Sequence, residues 1–494
     1  MTASRSVQGP FAIGLDLGTS GVKAVLLSAD GQLLAEATAA LQVSRPRPLW
    51  SEQQPAHWLA AVNSAVLALR AQAQAGHWQQ VQALAAAGQM HGAVLLDGQG
   101  QVLRPAILWN DGRCQAQCAE LEAREPATRR ITGNRAMAGF TAPKLMWVAR
   151  HEPEVFARVA TVLLPKDWLV WKLTGRTSGE VSDAAGTLWL DLSTRTWSPA
   201  MLAASGMRAD QMPPLHEGPD NVGPLLPAWC QAWGLPPGVG MAAGAGDNAA
   251  GAVGVGVVAP GDGLLSLGTS GVVFVATDGP LANPEQGVHS FCHALPGRWH
   301  QMAVMLSAGS ALAWWSGVTG TAPTELLAGL PAGTVRDAAP LFLPYLSGER
   351  TPHADPAATG AFVGLTHGHG RDDMSYAVIE GVAFSFADGL AAMQAGGSRP
   401  TRLLAIGGGA GSNTWLQLMA DMLGLPVDRP AGAEVGPALG AARLALLSLG
   451  LDAAKVVIRP EVAQSFVPDA ARAEFLQARL ARFRAAYAPL RGLS

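Results

Sequence analysis

The chain has 494 residues, 49% hydrophobic and only 14% charged, too long for a single core and too apolar for disorder, so about two to four domains are expected. A net charge of −3 and a pI near 6.4 give no electrostatic case for nucleic acid or an anionic membrane, and leave a small polar ligand as the more natural partner. Cys114, Cys118, Cys230 and Cys292 are too scattered for a disulfide framework, and no second Cys/His pair completes the spacing of Cys114 and Cys118 into a zinc site. The polar N-terminal stretch and the interruption of the next apolar run by Asp16 argue against a leader or a membrane span, so a cytoplasmic location is the expectation.

The first element is written Gly14-Leu15-Asp16-Leu17-Gly18-Thr19-Ser20-Gly21-Val22-Lys23-Ala24-Val25. It reads as strand, tight turn, strand, with Gly at turn positions of positive φ and two hydroxyls beside main-chain N–H groups, an anion nest. The six letters from Leu17 to Val22 return at Leu267-Gly268-Thr269-Ser270-Gly271-Val272, about half a chain-length later. Two such nests on two similar halves suit one polyphosphate ligand. After the first hairpin a third strand is expected over 33–39, then a helix starting at Pro55 with Trp58, Leu59, Val62, Val66, Leu67 and Leu69 at helical spacing and Gly76 as its stop. A strand over 81–87 runs into Gly88-Gln89-Met90-His91-Gly92, and another over 106–109 into Asn110-Asp111-Gly112-Arg113. Both are strand ends, where α/β folds present ligand groups. Met90 and His91 read equally as packing residues, and Asn110-Asp111-Gly112 equally as a surface turn.

The segment 139–151 suits a helix from Pro143 with Lys144 solvated on its surface. Pro165-Lys166-Asp167-Trp168 and Ser182-Asp183-Ala184-Ala185-Gly186-Thr187 are polar stretches between apolar ones that suit a cleft lining or helix caps. Ala243-Gly244-Ala245-Gly246-Asp247-Asn248 passes for a relaxed dinucleotide fingerprint, but Asp247 would set a carboxylate against the pyrophosphate. A strand end and Gly turn with Asp247 opening an Ala/Gly-rich helix is the better reading, with Asp247 either ionised for chemistry or serving as an N-cap. His289 and His293 have no acid at ligand spacing. A long buried helix is expected over 372–393. A strand over 403–406 then runs into Gly407-Gly408-Gly409-Ala410-Gly411-Ser412-Asn413, a turn that lets a ligand approach main-chain N–H groups, and helices follow over 415–425 and 438–447.

Together these stretches resemble the FGGY family of carbohydrate kinases, within the actin-like ATPase superfamily. The segment 139–151, with Lys144, Leu145 and Trp147, looks like the family's first signature, and 360–381, ending Glu380-Gly381, like its second. Ser44-Arg45-Pro46, Leu49-Trp50-Ser51-Glu52-Gln53, Gln89-Met90-His91 and Trp109-Asn110-Asp111 look like the xylulokinase branch. The resemblance implies an α/β, two-domain actin-like ATPase (ribonuclease H-like) fold with a catalytic cleft between the domains. The expected division is 1–256, carrying the sugar and the first phosphate turn, and 257–494, carrying the nucleotide. It implies ATP-dependent phosphorylation of D-xylulose to D-xylulose 5-phosphate with ATP and Mg²⁺. Asp16 would sit with Gly18, Thr19 and Ser20 at the metal and phosphate end, and Gly268, Thr269 and Ser270 would form the second phosphate turn. Gly408, Gly409 and Asn413 would hold the adenosine side. Gln89, Met90, His91 and Trp109 would contact the sugar with Asp247, which would be the base. The halves would close over both substrates. Many relatives carry a basic residue after Gly-Gly-Gly-Ala; here Gly411 stands there, which bears on nucleotide affinity.

The chemistry is coherent with these residue types, because phosphoryl transfer asks mainly for positioning and charge neutralisation. Rival readings are a kinase for another ketose or polyol, an actin-like ATPase working without sugar, and a sugar-binding protein, which would need no Asp16. Neither a Walker A sequence nor a kinase-type His-Arg-Asp loop appears. Oligomeric state is open, a homodimer among the options, and no nucleic-acid or membrane partner is expected.

Overall fold

Alternation decides how the first sheet is built. In the strand Phe11–Leu17, the side chains of Phe11, Ile13, Leu15 and Leu17 enter a core of large residues, with Trp58, Val62, Val66 and Leu69 of the helix Pro55–Gln72. The intervening Ala12, Gly14 and Asp16 therefore belong to the opposite face. That face is rich in small residues, among them Ala83, Ala85 and Ala87 of the strand Val81–Gly88 and Ala249, Ala250, Ala438, Ala441 and Ala442 of two helices, Asp247–Gly254 and Pro437–Leu447. The computed structural model describes residues 9–431 and 436–491; the polar 1–8 stretch lies outside them.

The described chain divides into two compact units. The first takes Met1–Val258, Phe291–Trp299 and Val435–Arg459. Its sheet runs in the order Asn221–Pro224, Gly240–Ala242, Val81–Gly88, Phe11–Leu17, Gly21–Ser28, Leu33–Ala40, and Ala245–Gly246 also pairs with Val81–Gly88. The helix Pro437–Leu447 joins this unit because its small residues allow main-chain contact. A Cβ on Gly14 would lie 1.9 Å from the Ala438 carbonyl oxygen, and one on Gly440 only 1.7 Å from that of Ala250. The helix expected to stop at Gly76 ends at Gln72, and a short helical turn, Ala75–Trp78, follows. Trp78 is drawn into the core, where its indole N–H donates to the Trp233 carbonyl at 3.0 Å.

The second unit takes Ala259–Ser290, His300–Glu434 and Pro460–Ser494. Its central hairpin, Asp262–Leu267 and Gly271–Thr277, is followed in the sheet by Arg402–Ile406, Val427–Pro430 and Val462–Phe466. One helix, Arg371–Ala395, is long and apolar enough to cross a membrane, but it is buried in this unit's core. A Cβ on Gly381 would lie 2.2 Å from the Phe342 carbonyl oxygen. Next to it the Glu380 carboxylate takes a fork of two bonds, 2.7 and 2.6 Å, from Arg479 of the helix Ala470–Leu490.

Both copies of the repeated hexapeptide are antiparallel hairpin turns, as expected. The conformational reason given for their glycines is wrong, however, since none of Gly18, Gly21, Gly268 and Gly271 has positive φ. The last glycine of each turn serves space instead. A Cβ on Gly21 would meet the Ala39 carbonyl oxygen at 2.8 Å, and one on Gly271 would meet the Phe386 ring at 2.5 Å. Gly440→Ala should lower stability by about 2 kcal/mol, within the overpacking range, seen as an earlier urea midpoint; an unchanged midpoint would refute the close helix contact.

Candidate active site

The register of three strands puts the two candidate carboxylates at one sheet edge. Asp16 pairs with Ala87 across the parallel ladder, and Ala87 pairs in turn with Ala245. Gly88 and Gly246 stand one residue further, and Asp247 opens its helix immediately after. Asp16 and the start of the Asp247 helix are thus two strand spacings apart, roughly 10 Å, on the small-residue face. The cross-strand partner of Asp16 is Lys23, but the Lys23 ammonium pairs with Glu36 at 2.9 Å. Asp16 keeps a buried oxygen, Oδ1, with no hydrogen-bond partner. Burial, the charge of Asp247 and, in opposition, Lys23 set its pKa, which is pushed up to about 7.

Asp247 is the first helical residue, with Gly246 as the N-cap, so it is not a cap. Its Oδ1 accepts from the main-chain and side-chain N–H groups of Asn248 at 2.8 and 2.9 Å. Burial raises its pKa to about 6 against these two bonds. The Gly246 N–H donates to Ser182 Oγ at 3.1 Å, which fixes the helix entry.

In the first turn, Thr19 Oγ1 donates to Gln89 Oε1 at 2.8 Å and accepts from the Trp109 indole N–H at 3.0 Å. Gln89 is buried and its amide nitrogen donates to Gln53 Oε1 at 3.0 Å. Its side chain is thus engaged at both ends in holding the turn, while Trp109 keeps an exposed ring. Asp111 serves structure as well, since its carboxylate accepts from the Ser51 N–H at 2.6 Å and from Arg113 at 2.9 and 2.6 Å.

Met90 and His91 follow Gln89 at the strand end. His91 is left-handed, φ +69°, a conformation that costs a non-glycine residue about 1 kcal/mol or more. Its Nδ1 lies 2.6 Å from the Gly186 carbonyl oxygen, which can only accept, so Nδ1 carries a proton. Phe140 packs edge-on at 4.8 Å between ring centres, with Phe291 at 6.2 Å. A Cβ on Gly186 would strike both His91 Nδ1, at 2.6 Å, and Met90 Cε, at 2.9 Å, and one on Gly246 would meet Met90 Cγ at 2.9 Å. Met90, His91 and the entry to the Asp247 helix therefore form one packed group. Lys144, expected in solvent, is completely buried and donates to the main-chain oxygens of His91 and Gly139.

Sequence reasoning left a buried ionic group beneath this edge unassigned. Lys166 is fully buried; its ammonium pairs with Asp167, lies 3.8 Å from Asp183 Oδ2 and reaches the Ala243 carbonyl at 3.3 Å. Asp183 accepts no hydrogen bond at either oxygen. Its pKa is driven well up, chiefly by burial, with Lys166 opposing and the charges of Asp167, Glu180 and Asp247 adding. Glu180 caps the short helix Val181–Ala184 through the N–H groups of Ser182 and Asp183, so the cap lies just before the stretch expected to supply it, and the helix Pro165–Thr174 has no side-chain cap. Burial holds the Glu180 pKa up at about 7. The only hint in the sequence was two adjacent opposite charges, Lys166-Asp167, between apolar runs.

In the second unit the other turn and the glycine stretch are in main-chain contact. Gly407 has φ +90°, and a Cβ there would lie 2.6 Å from the Leu267 carbonyl carbon; one on Gly409 would lie 2.8 Å from Leu267 Cβ. The Gly268 carbonyl accepts from the Gly309 N–H at 2.8 Å, and that of Thr269 from Ala308 and Ser310, both at 3.1 Å. A Cβ on Gly408 or Gly411 would meet nothing within 4 Å, so one side of this strip is open. Exposed Asn413 opens the helix Asn413–Leu423, and its Oδ1 accepts from Arg429, a cation that sequence distance concealed.

Residues 11–254 match the N-terminal domain of the FGGY family of carbohydrate kinases, and residues 263–449 its C-terminal domain. The chain belongs to this family. It is 52% identical over 481 residues to a xylulose kinase of Escherichia coli, covering 97% of this chain and 99% of that one. A xylulose kinase of Klebsiella pneumoniae is 54% identical over 434 residues, covering 88% and 89%. The crystal structure of a xyloylose kinase from Brucella ovis superimposes with a TM-score of 0.95 at 46% identity, covering 98% and 100% of the two chains. This FGGY chain is a carbohydrate kinase with the two-domain α/β fold of such enzymes.

The family's two signatures acquire physical content here. In the first, Lys144 grips main chain next to His91, and Trp147 packs edge-on against Trp50, 5.4 Å between ring centres, over which the Arg113 guanidinium lies at 3.6 Å. In the second, Gly381 gives the long helix its close approach and Glu380 ties it to the C-terminal helix. Beneath the edge, Lys166→Met leaves Asp167 and Asp183 buried without their cation and should cost about 3–5 kcal/mol. Carboxyl groups whose folded pKa is raised are tolerated while protonated and destabilise as pH climbs through that pKa. Urea unfolding should therefore show a smaller deficit at pH 5 than at pH 8, and the opposite trend would count against the pairing.

Proposed function

We propose that this kinase moves the γ-phosphoryl group of ATP to the terminal hydroxyl of D-xylulose, giving D-xylulose 5-phosphate and ADP, with Asp247 as the base. The observation that carries the reading is the common edge shared by Asp16, Met90, His91 and Asp247, with the Asp247 pKa raised to about 6. Relatives named xylulose kinase at 52% and 54% identity support the sugar. As the sugar oxygen bonds to phosphorus and the bridging oxygen departs with ADP, the hydroxyl proton passes to Asp247. A carboxylate of pKa about 6 is still ionised at neutral pH and is a better acceptor than an ordinary one; such help is typically worth about 10²–10⁴-fold. His91 would contact the sugar hydroxyls, the exposed face of Trp109 would flank the carbons of the open-chain sugar, and Met90 would supply apolar contact.

Asp16 suits a cation. Its Oδ1 is buried and unpartnered, and among the described residues no three carboxylate, His or Cys side chains converge to hold a metal alone. A Mg²⁺ bound there would share its ligands with the nucleotide phosphates and neutralise their charge. Gly18, Thr19 and Ser20 would serve the phosphates, as would Gly268, Thr269 and Ser270, with Gly408, Gly409 and Asn413 on the adenosine side. The four cysteines are free and buried, which suits the reducing interior of a cell.

Asp247→Asn should leave ATP binding intact and cut turnover by about a hundredfold or more, measured by ADP release; near-normal turnover would remove Asp247 from the chemistry. A panel of pentuloses, glycerol and gluconate run in the same assay should show D-xylulose with the highest kcat/KM, and preference for another sugar would replace the substrate. Because the base must be ionised, kcat/KM for the sugar should be flat above neutrality and fall as the pH drops through about 6; a limb down near 4, the ordinary carboxylate range, would show that Asp247 is not desolvated in the working enzyme.

A further inference from the structure

Lys144 is a buried ammonium whose charge is answered by main-chain oxygens alone. It is 0% exposed, and among the described residues no carboxylate lies within ion-pair distance of its Nζ. It donates to the His91 carbonyl at 3.0 Å and to that of Gly139. Thr141, three residues before it on the helix Thr141–His151, donates its hydroxyl to the same His91 oxygen at 3.1 Å. A methionine would fill this space without burying a charge, so packing alone does not account for a lysine.

What the two donors hold is unusual backbone. His91 is left-handed, φ +69°, and its peptide oxygen is the atom gripped from the neighbouring helix. The other carbonyl gripped, that of Gly139, belongs to a residue pressed against Trp109, where a Cβ would come within 2.8 Å of the Trp109 carbonyl oxygen. One ammonium thus joins the two segments that carry an imidazole and an exposed indole toward the ligand side of this unit. Cys114, Cys118, Asp111 and Arg113 are the other titratable groups around it; burial is the main influence on its pKa, which falls to about 8.

We propose that Lys144, assisted by Thr141, is a positioning residue for the sugar: it fixes the left-handed main chain of His91 and the Gly139–Trp109 contact, and so sets sugar affinity without touching sugar or nucleotide. The inference rests on the reading above that His91 faces the sugar. Removing a charged hydrogen bond that holds a ligand group in place should raise KM for D-xylulose by about tenfold or more.

The test compares Lys144→Met, Thr141→Val, Thr141→Ser and His91→Ala in steady-state kinetics with both substrates varied, alongside thermal melting. Lys144→Met and Thr141→Val should raise the sugar KM while the ATP KM stays within about twofold, Thr141→Ser should restore the parent value, and the double variant should be less than additive because both act on one carbonyl. If Lys144→Met does not fold, the Thr141 pair and its rescue decide. A folded Lys144→Met or Thr141→Val with parent sugar KM, or with sugar and ATP KM rising together, overturns the proposal while leaving His91 as a sugar contact. A His91→Ala enzyme with parent sugar KM overturns the reading of His91 itself, and the positioning role with it.

Discussion

The parallel ladder between Phe11–Leu17 and Val81–Gly88, extended by Ala245–Gly246, is the constraint on which the first unit depends. A slip of one residue would send Asp16 into the large-residue core and Leu17 toward the small-residue face, because side chains alternate. The pattern leaves no such freedom: Phe11, Ile13, Leu15 and Leu17 need the volume beside Trp58 and Val62, while Gly14 alone admits the Ala438 carbonyl. Packing of large residues on one face thus determines where a carboxylate ends up on the other. The small face also lets two helices approach closely enough for the one that begins at Asp247 to open at the same edge.

Around that edge the protein keeps features that are unfavourable when taken singly. Asp16 has an unmatched oxygen, His91 a left-handed main chain, and Asp183 two oxygens without donors. Each is held by something stiff: the ladder for Asp16, two donors from a helix for His91, and the buried ammonium of Lys166 for Asp183. At such a place a ligand or a transferred charge can supply the missing partner. In the second unit the buried Glu380 is matched by the Arg479 fork, whereas Glu349 Oε2 and Asp428 Oδ1 there have no hydrogen-bond partner.

Much of this was legible in the letters, and the reasons differ by residue. Hairpins and long helices could be read because alternation and helical periodicity are local, and Gly424 with φ +66° ends its helix where sequence placed the stop within two residues. Asp247 at a helix start was legible for the same reason. Lys144 was misread because a lysine on a helix surface is ordinarily solvated; what buries it is His91, more than fifty residues earlier. Gln89 drew attention as a ligand by its place at a strand end, but its amide is taken by Thr19 and Gln53. Arg429 at Asn413 and Phe291 at His91 could not be foreseen, since only the folded chain brings either pair together.

The repeated hexapeptide shows how identical letters come to hold different offices. In the first copy the turn is braced through its side chain, with the Thr19 hydroxyl between Gln89 and Trp109, and the residue before Leu17 is a buried aspartate. In the second it is braced through its main chain, with the Gly268 and Thr269 carbonyls capped by N–H groups at 308–310 and Leu267 pressed by Gly407 and Gly409, and the residue before Leu267 is a serine. A turn braced at its hydroxyl is tied to whatever moves Gln89 and Trp109, the strand ends on the proposed sugar side. A turn braced at its carbonyls leaves its Thr side chain exposed and couples instead to the glycine strip proposed for the nucleotide. The hairpin supplies the same geometry twice, and the neighbours of each copy decide what it is tied to.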